Sequence, residues 1–373
     1  MQNTTYRNTF GISQSMIKDF RWMTPQQWYN KYILYQEKNE KEADHLDYGS
    51  LVDTLMFTPE LLKERFFIAD ENVKLPSDSV KNIIDTLYAE HVSVDETLLS
   101  IGAITSNHAL ANLSNEIIEI AQRPENNYGK GSYKPERIIK EINEKGGQYF
   151  ELKLKIGNRI VISNTDNMMA LTQKEMLQSH PRTKAYFIQQ EGETLLFQFE
   201  AFIPYHSFDL PKPALIEAKT EEPTKLFKKG ALDILRINHI EKTVRIVDFK
   251  TSFDAHNFLS SIKKYGYCTQ LSYYYDLIEK WKFINYPGYE MLAPINIVID
   301  KTQTEPYVYE YNLEDLAIEK TGYNNLKGVK EGWSSVLSTI IWHIENHVWS
   351  PKELYNNDKI AVKLYQWEYE ATK

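Results

Sequence analysis

Cysteine is nearly missing: Cys268 is the single copy in 373 residues. That excludes an internal disulfide framework and a four-cysteine zinc or iron–sulfur site. A reducing compartment, the cytoplasm, is the expectation. No apolar run approaches the roughly 20 residues that a bilayer-spanning helix needs, so no membrane partner is expected. The opening MQNTTYRNTFGISQS lacks the basic-then-apolar pattern of a secretion signal. Repeats and low-complexity tracts are absent. So is positive charge in excess: 43 basic residues face 51 acidic ones, a net charge of −8. The chain is therefore not one that coats nucleic acid nonspecifically, although a locally basic groove stays compatible with that total.

What is present is a globular composition, 42% hydrophobic and rich in tyrosine, long enough for a substantial core. The informative stretch is Lys228–Ser252, KKGALDILRINHIEKTVRIVDFKTS. Two runs of strand-forming residues flank a polar turn around Asn238–Lys242, which predicts a β-hairpin. Side chains alternate along a strand, so Asp248 and Lys250 share a face with Val244 and Ile246. If Ile237 pairs with Val244, Asp233 falls opposite Asp248. Residues so opposed have Cβ atoms about 4.5–5.5 Å apart. Two carboxylates that close repel unless a cation or proton lies between them, and Lys250 reaches the same spot. The pattern predicts a divalent-metal site with a lysine beside it, which is the equipment of phosphodiester hydrolysis. Hard cations such as Mg²⁺ prefer carboxylate oxygens, one or two ions can activate water and steady a leaving oxygen, and the amine can orient water or neutralise developing charge.

An acid-x-lysine tripeptide recurs by chance. Glu151-Leu152-Lys153 and Glu217-Ala218-Lys219 are further copies in or beside strand-like runs, and the bland reading of any one is a surface ion pair. Only the copy at 248–250 has an acid placed to face it across a hairpin and a long amphipathic helix after it. In that helix, Tyr267 to Lys280, residues Tyr267, Gln270 and Tyr274 form one stripe with Tyr273 beside it. Upstream, Asp53 is the one acid in the apolar helix around Tyr48–Phe57. It lies one turn from Gly49 on the same face, and a buried acid must be paired or bind metal.

Elsewhere the patterns predict helices from Ser13 or Ser15 to Phe20 and from Pro25 to Tyr32, the latter capped by Thr24. A run of helices is expected over 70–145, a strand pair over 147–163, and a helix from Asn164 to Ser179. Strands are expected at 195–203, 291–300 and 306–312, an irregular excursion over 204–223, and a mostly helical stretch from Leu313 to His347.

Taken in order, these pieces resemble the phage RecE-type exonucleases, the exonuclease-eight branch of the PD-(D/E)xK nuclease superfamily. The likeness rests on GISQSMIKDFRWMTPQQWY, YGSLVDTLMFTPE, KKGALDIL with IVDFKTS, and YGYCTQLSYYYD, with ISNTDNMMALTQKEMLQSHP between the second and third. Ala231-Leu232 stands where the superfamily's proline would precede the acid. The resemblance implies an α/β (α+β) fold, a mixed β-sheet flanked by helices. It implies one nuclease domain over 1–373, with a helical insertion at 70–145 and a helical extension at 313–373. By position, Asp233 and Asp248 would bind Mg²⁺ or Mn²⁺, with the carbonyl of Phe249 as a further ligand and Lys250 as the catalytic lysine. Gln270 and Tyr274 would support the site or hold DNA. Lys228, Lys229, Tyr267 and Tyr273 would meet nucleic acid. Asp53 departs from the family, which usually has histidine there, and would serve as an oxygen ligand to the metal. The implied activity is degradation of linear duplex DNA from its ends, removing the 5′-ended strand, in a bacterial host's cytoplasm. The implied partners are free DNA ends, a single-strand annealing protein and further copies in a ring. A structure-specific endonuclease on the same fold, and a catalytically silent DNA-binding or assembly protein, are the competing expectations.

Overall fold

The structure, a computed structural model, describes residues 6, 9–35, 44–69, 76–92, 113–123, 135–157, 159–204, 226–300, 305–325 and 328–350. The chain divides into two compact units, Met1–Thr58 with Ala170–Lys373, and Pro59–Met169.

The first unit begins with strand β1 (Gly11–Ile12) and helix α1 (Gln14–Phe20). Ser13 caps α1 as expected, its hydroxyl accepting from the Met16 amide. Helix α2 (Pro25–Tyr32) carries the anticipated Thr24 cap, reciprocated by Gln27. Helix α3 (Asp44–Phe57) buries Leu51, Val52 and Leu55. It packs on the sheet at Gly49, where an added Cβ would lie 2.9 Å from the Thr251 hydroxyl.

The second unit holds helices α4 (Asp78–Leu87), α5 (Ser114–Gln122) and α6 (Pro135–Ile156), with β2 (Phe66–Ala69) paired in parallel to β3 (Ile160–Ser163). Its core joins Ile83, Ile84 and Leu87 to Ile117, Ile142 and Phe150. The strand pair expected over 147–163 is corrected here: α6 runs through to Ile156 and only 160–163 is extended. In three dimensions Gly146 removes the side chain that would collide with Ile84, whose Cδ1 lies 2.4 Å from where a Cβ would be. Ile138, Ile142, Tyr149 and Phe150 then form a helical stripe. The decoy triplet at 151–153 therefore lies on a helix, with Lys153 paired to Asp85 at 3.1 Å. The other decoy, at 217–219, lies outside the described residues, as does most of the expected excursion over 204–223.

Back in the first unit, helix α7 (Asn164–Ser179), whose first residues belong to the second unit, leads to β4 (Glu193–Pro204). The predicted hairpin follows as β5 (Phe227–Asn238) and β6 (Thr243–Ser252), with Ile237 opposite Val244. The Asn238 side chain closes the turn by accepting from the amides of Ile240 and Glu241. Strands β7 (Glu290–Met291) and β8 (Ile295–Asp300) run parallel to β6, and β9 (Tyr307–Glu310) is antiparallel to β8. The result is a seven-stranded mixed sheet with helices packed against it, the α/β architecture expected.

One edge of β5 pairs with β4 from Phe227 to Asn238, with a break only at Asp233. Its other edge is shared: β1 takes Phe227–Lys228 and β6 takes Ile234–Asn238. Between these, residues 229–233 have no strand partner on that edge among the described residues. The sheet forks there.

Helices α8 (Phe258–Tyr265) and α9 (Tyr267–Asn285) follow β6. Leu271, Leu277 and Ile278 of α9 pack on Leu235, Ile237 and Ile246 of the sheet, each such buried aliphatic contributing about 1.5–3 kcal/mol. The mostly helical stretch expected from Leu313 is present as α10 (Leu313–Thr321) and α11 (Trp333–Asn346), with a hairpin of β10 (Gly322–Asn325) and β11 (Gly328–Glu331) between them. Gly322, at φ +79°, makes the sharp exit from α10, and a Cβ there would meet the Lys330 carbonyl at 2.3 Å. Residues 351–373 lie outside the described set. Among the described residues no helix is long and apolar enough to cross a membrane.

Candidate active site

The fork in the sheet is where the predicted acids meet. The β5–β6 ladder stops at Ile234 and Val247. One residue further, the Asp233 carboxylate takes the place of a main-chain partner: its Oδ2 accepts from the Phe249 amide at 2.7 Å. Asp248 sits across from it, 3% exposed. Its Oδ2 is held 2.6 Å from the Lys250 ammonium and accepts from the Asn296 amide at 2.6 Å. Its Oδ1 accepts from Gln270 on α9 at 3.3 Å. The Lys250 ammonium lies 5.3 Å from the centre of the Tyr267 ring, which is itself stacked on Phe258.

The electrostatics follow from this crowding. Burial and the Asp248 charge push Asp233 up to about 8, Asp53 adds to the effect, and Lys250 and the Phe249 amide work against it. Asp53 thus lies within electrostatic reach of Asp233. For Lys250, burial opposes the charge, but Asp248 and Asp233 outweigh it and hold the amine above the ordinary lysine value. Tyr274 is raised by burial and then by Asp248, and its hydrogen bond with Gln270 partly offsets this.

The stripe Tyr267, Gln270 and Tyr274 therefore comes to the acids. Three other predicted contacts do not. Lys228 is 1% exposed. Its ammonium sits between the rings of Tyr273 and Trp333, 4.3 and 4.4 Å from their centres, and pairs with Asp276. It serves the core and is closed to phosphate, which corrects the nucleic-acid role expected for it. Lys229 is committed to the N-terminal segment, donating to the carbonyls of Tyr6 and Thr9 at 2.9 Å each. Tyr273 is fully buried, and its hydroxyl donates to the Ile12 and Lys229 carbonyls at 2.5 and 3.1 Å. It closes the base of the fork, and its expected nucleic-acid contact is likewise corrected.

Two residues that the sequence reading passed over complete the site. Asn296, directly beside Asp248 in the parallel β6–β8 pair, is fully buried. Its amide grips both the carboxylate and the main-chain carbonyl of Asp248, and its own oxygen accepts from Tyr311 at 2.5 Å. The signal was there: Asn296 is the one polar residue between Ile295 and Ile299, and a polar side chain in a fully buried strand must have a specific partner.

Among the described residues no group of three or more histidine, cysteine, aspartate or glutamate side chains is gathered as a ready-made metal cluster. The donors present are nonetheless hard oxygens. Asp233 and Asp248 lie together, with the Phe249 amide on Asp233, and burial followed by the Asp248 charge raises Asp233. That set fits a magnesium- or manganese-like cation. No protein-family model matches the chain, and no curated protein matches it.

Proposed function

We propose that the chain is a metal-dependent deoxyribonuclease of PD-(D/E)xK type, an exonuclease resembling the RecE branch that degrades linear duplex DNA from its ends. The observation that carries this reading is the fork itself. It joins Asp233, Asp248 and Lys250 on neighbouring strands, with Gln270 of the following helix on the same carboxylate.

Asp233, Asp248 and the Phe249 carbonyl would hold the cation, with Asp53 beside them. When bound, it supplies activation of a water and neutralisation of the leaving oxygen. The rest is done by the chain. Lys250, beside both acids, would orient or deprotonate the attacking water, or neutralise charge in the transition state. Asn296 and Gln270 hold the Asp248 carboxylate from both oxygens, so its direction is set before substrate arrives. Tyr274 buttresses Gln270 and lies against Gly230, where a Cβ would come within 3.0 Å of the ring.

The test is purified protein with Mg²⁺ on linear duplexes labelled separately at each end, beside a closed circle. The expected result is shortening of linear DNA from the 5′-ended strand, an untouched circle, and loss of cleavage with folding retained in Asp248→Ala and Lys250→Ala. Full Mg²⁺-dependent activity in either variant refutes the roles assigned. An opened circle replaces the exonuclease with an endonuclease. Ring assembly and a single-strand annealing partner belong to the same proposal, the ring being read by light scattering.

A further inference from the structure

On a chain of net charge −8, the stretch from Lys250 to Tyr267 carries Lys250, Lys263 and Lys264 against one acid, Asp254. That acid is exposed and engaged by its own loop: its carboxylate accepts from the backbone and side-chain amides of Asn257 at 3.0 and 2.8 Å. The loop is tied down further. The Asp254 amide donates to the Ser252 hydroxyl at 3.3 Å, and the Tyr309 hydroxyl reaches the carbonyls of Ala255 and His256 at 2.6 and 2.9 Å. Ala255 and Phe258 are buried beneath it.

At the start of this rigid loop, three residues after Lys250, Phe253 is 95% exposed. A floppy loop can expose a phenyl ring by chance. A loop fixed by this many bonds holds the ring in water as part of its structure. Beyond it, the outer side of α8 presents Leu259, Lys263 and Lys264, and Tyr265 is exposed at its end. Leu259 and Lys263 are one turn apart on one side of the helix. Aromatic faces beside lysines are the chemistry that takes up single-stranded nucleic acid, bases stacking on rings and phosphates meeting ammonium groups.

We propose that the Phe253 loop and α8 form a binding path for a single strand at the mouth of the fork, with one base stacked on Phe253 and phosphates on Lys263 and Lys264. The proposal rests on the nuclease reading for its substrate. None of these residues belongs to the catalytic set. The flanking lysines favour nucleic acid over a second copy of the chain, because an apolar self-contact would have to bury them.

The experiment uses the full chain with Ca²⁺ in place of Mg²⁺, titrated by fluorescence anisotropy into a blunt duplex and the same duplex carrying an unpaired tail. Wild type is expected to favour the tailed duplex. Phe253→Ala weakens binding to the tail by about five- to a hundredfold, Phe253→Trp retains it, and neither changes the thermal midpoint. Lys263→Gln with Lys264→Gln lowers the salt dependence of log Kd by about 1.4, roughly 0.7 for each phosphate contact on a single strand. Tail binding by Phe253→Ala within about twofold of wild type overturns the proposal. So does a Phe253→Ala variant whose oligomeric state drops while its affinity for DNA is unchanged, which would make the ring a self-contact. Cleavage of linear duplex with Mg²⁺ is scored separately. Cutting without Phe253-dependent binding sinks this path alone, Phe253-dependent binding without cutting sinks the nuclease reading alone, and neither binding nor cutting sinks both.

Discussion

Asp233→Asn tests the charge balance of the fork directly. In the folded chain Asp233 is pushed up to about 8, whereas in the unfolded chain it titrates near 4. Between those values the folded state keeps a proton that the unfolded state has released, so stability falls as pH rises. Below about pH 4 the residue contributes nothing, and above about pH 8 the full penalty is in place. The limiting slope for one group is about 1.4 kcal/mol per pH unit. From pH 5.5 to 7.5 that is at most about 2.7 kcal/mol, and roughly half after screening of a partly exposed group. For a unit of this size, that half corresponds to a melting shift of about 3–5 °C. Asparagine keeps an oxygen for the Phe249 amide but does not titrate. In EDTA, the midpoint of Asp233→Asn minus that of wild type should therefore grow by about 3–5 °C over this range. Mn²⁺ replaces the proton, so it should raise the wild-type midpoint most at the upper end and the variant's least. Differential scanning fluorimetry at several pH values, with and without Mn²⁺, reads both effects. A difference that stays flat with pH in EDTA refutes the argument that burial and Asp248 crowd this carboxylate.

Further outcomes follow from contacts described above. Lys250→Ala should lower Mg²⁺-dependent cleavage by about a hundredfold or more without changing the far-ultraviolet spectrum, and near-wild-type turnover would remove the lysine from the chemistry. Asn296→Leu leaves the Tyr311 hydroxyl and an Asp248 oxygen short of partners, costing about 1–3 kcal/mol in denaturant unfolding and lowering kcat more than it raises KM; an unchanged kcat would make Asn296 purely structural. Gly49→Ala forces a methyl against the Thr251 hydroxyl and should destabilise by about 1–3 kcal/mol, with recovery in the Gly49→Ala, Thr251→Ala double variant. A double variant no more stable than the single would locate the strain elsewhere. Lys228→Met strips Asp276 of one of its two lysines and is expected to cost up to about 3 kcal/mol in urea unfolding at neutral pH. Because burial lowers Lys228 to about 8, below its unfolded value, the wild-type ion pair is costlier below pH 8 than above it, and the deficit of the variant should widen as pH rises past 8.

The hairpin register was legible because turn chemistry and alternation agree: once Ile237 faces Val244, nothing else can face Asp248 but Asp233. The Tyr267–Gln270–Tyr274 stripe was legible for the same reason, since helical spacing alone puts those side chains on one side. What sequence could not show is where a long side chain ends. Lys228 reads as solvated charge until Asp276, forty-eight residues away, and Trp333 close around it. Lys229 is claimed by carbonyls more than two hundred residues upstream. The need for glycine at 146 comes from Ile84 on another helix. Local pattern fixes direction, and distant packing decides use.

The gap along β5 between Phe227–Lys228 and Ile234–Asn238 gives this molecule a hinge-like seam rather than a uniform lattice. Across it, a phenol and a carboxylate do the stitching that amides and carbonyls do elsewhere. Such a seam can widen by a bond or two without unravelling the strands on either side. Those amide protons of 229–233 that face the gap and not β4 should then trade with deuterium sooner than those a few residues further along the same strand, and anything bridging the two carboxylates should slow them.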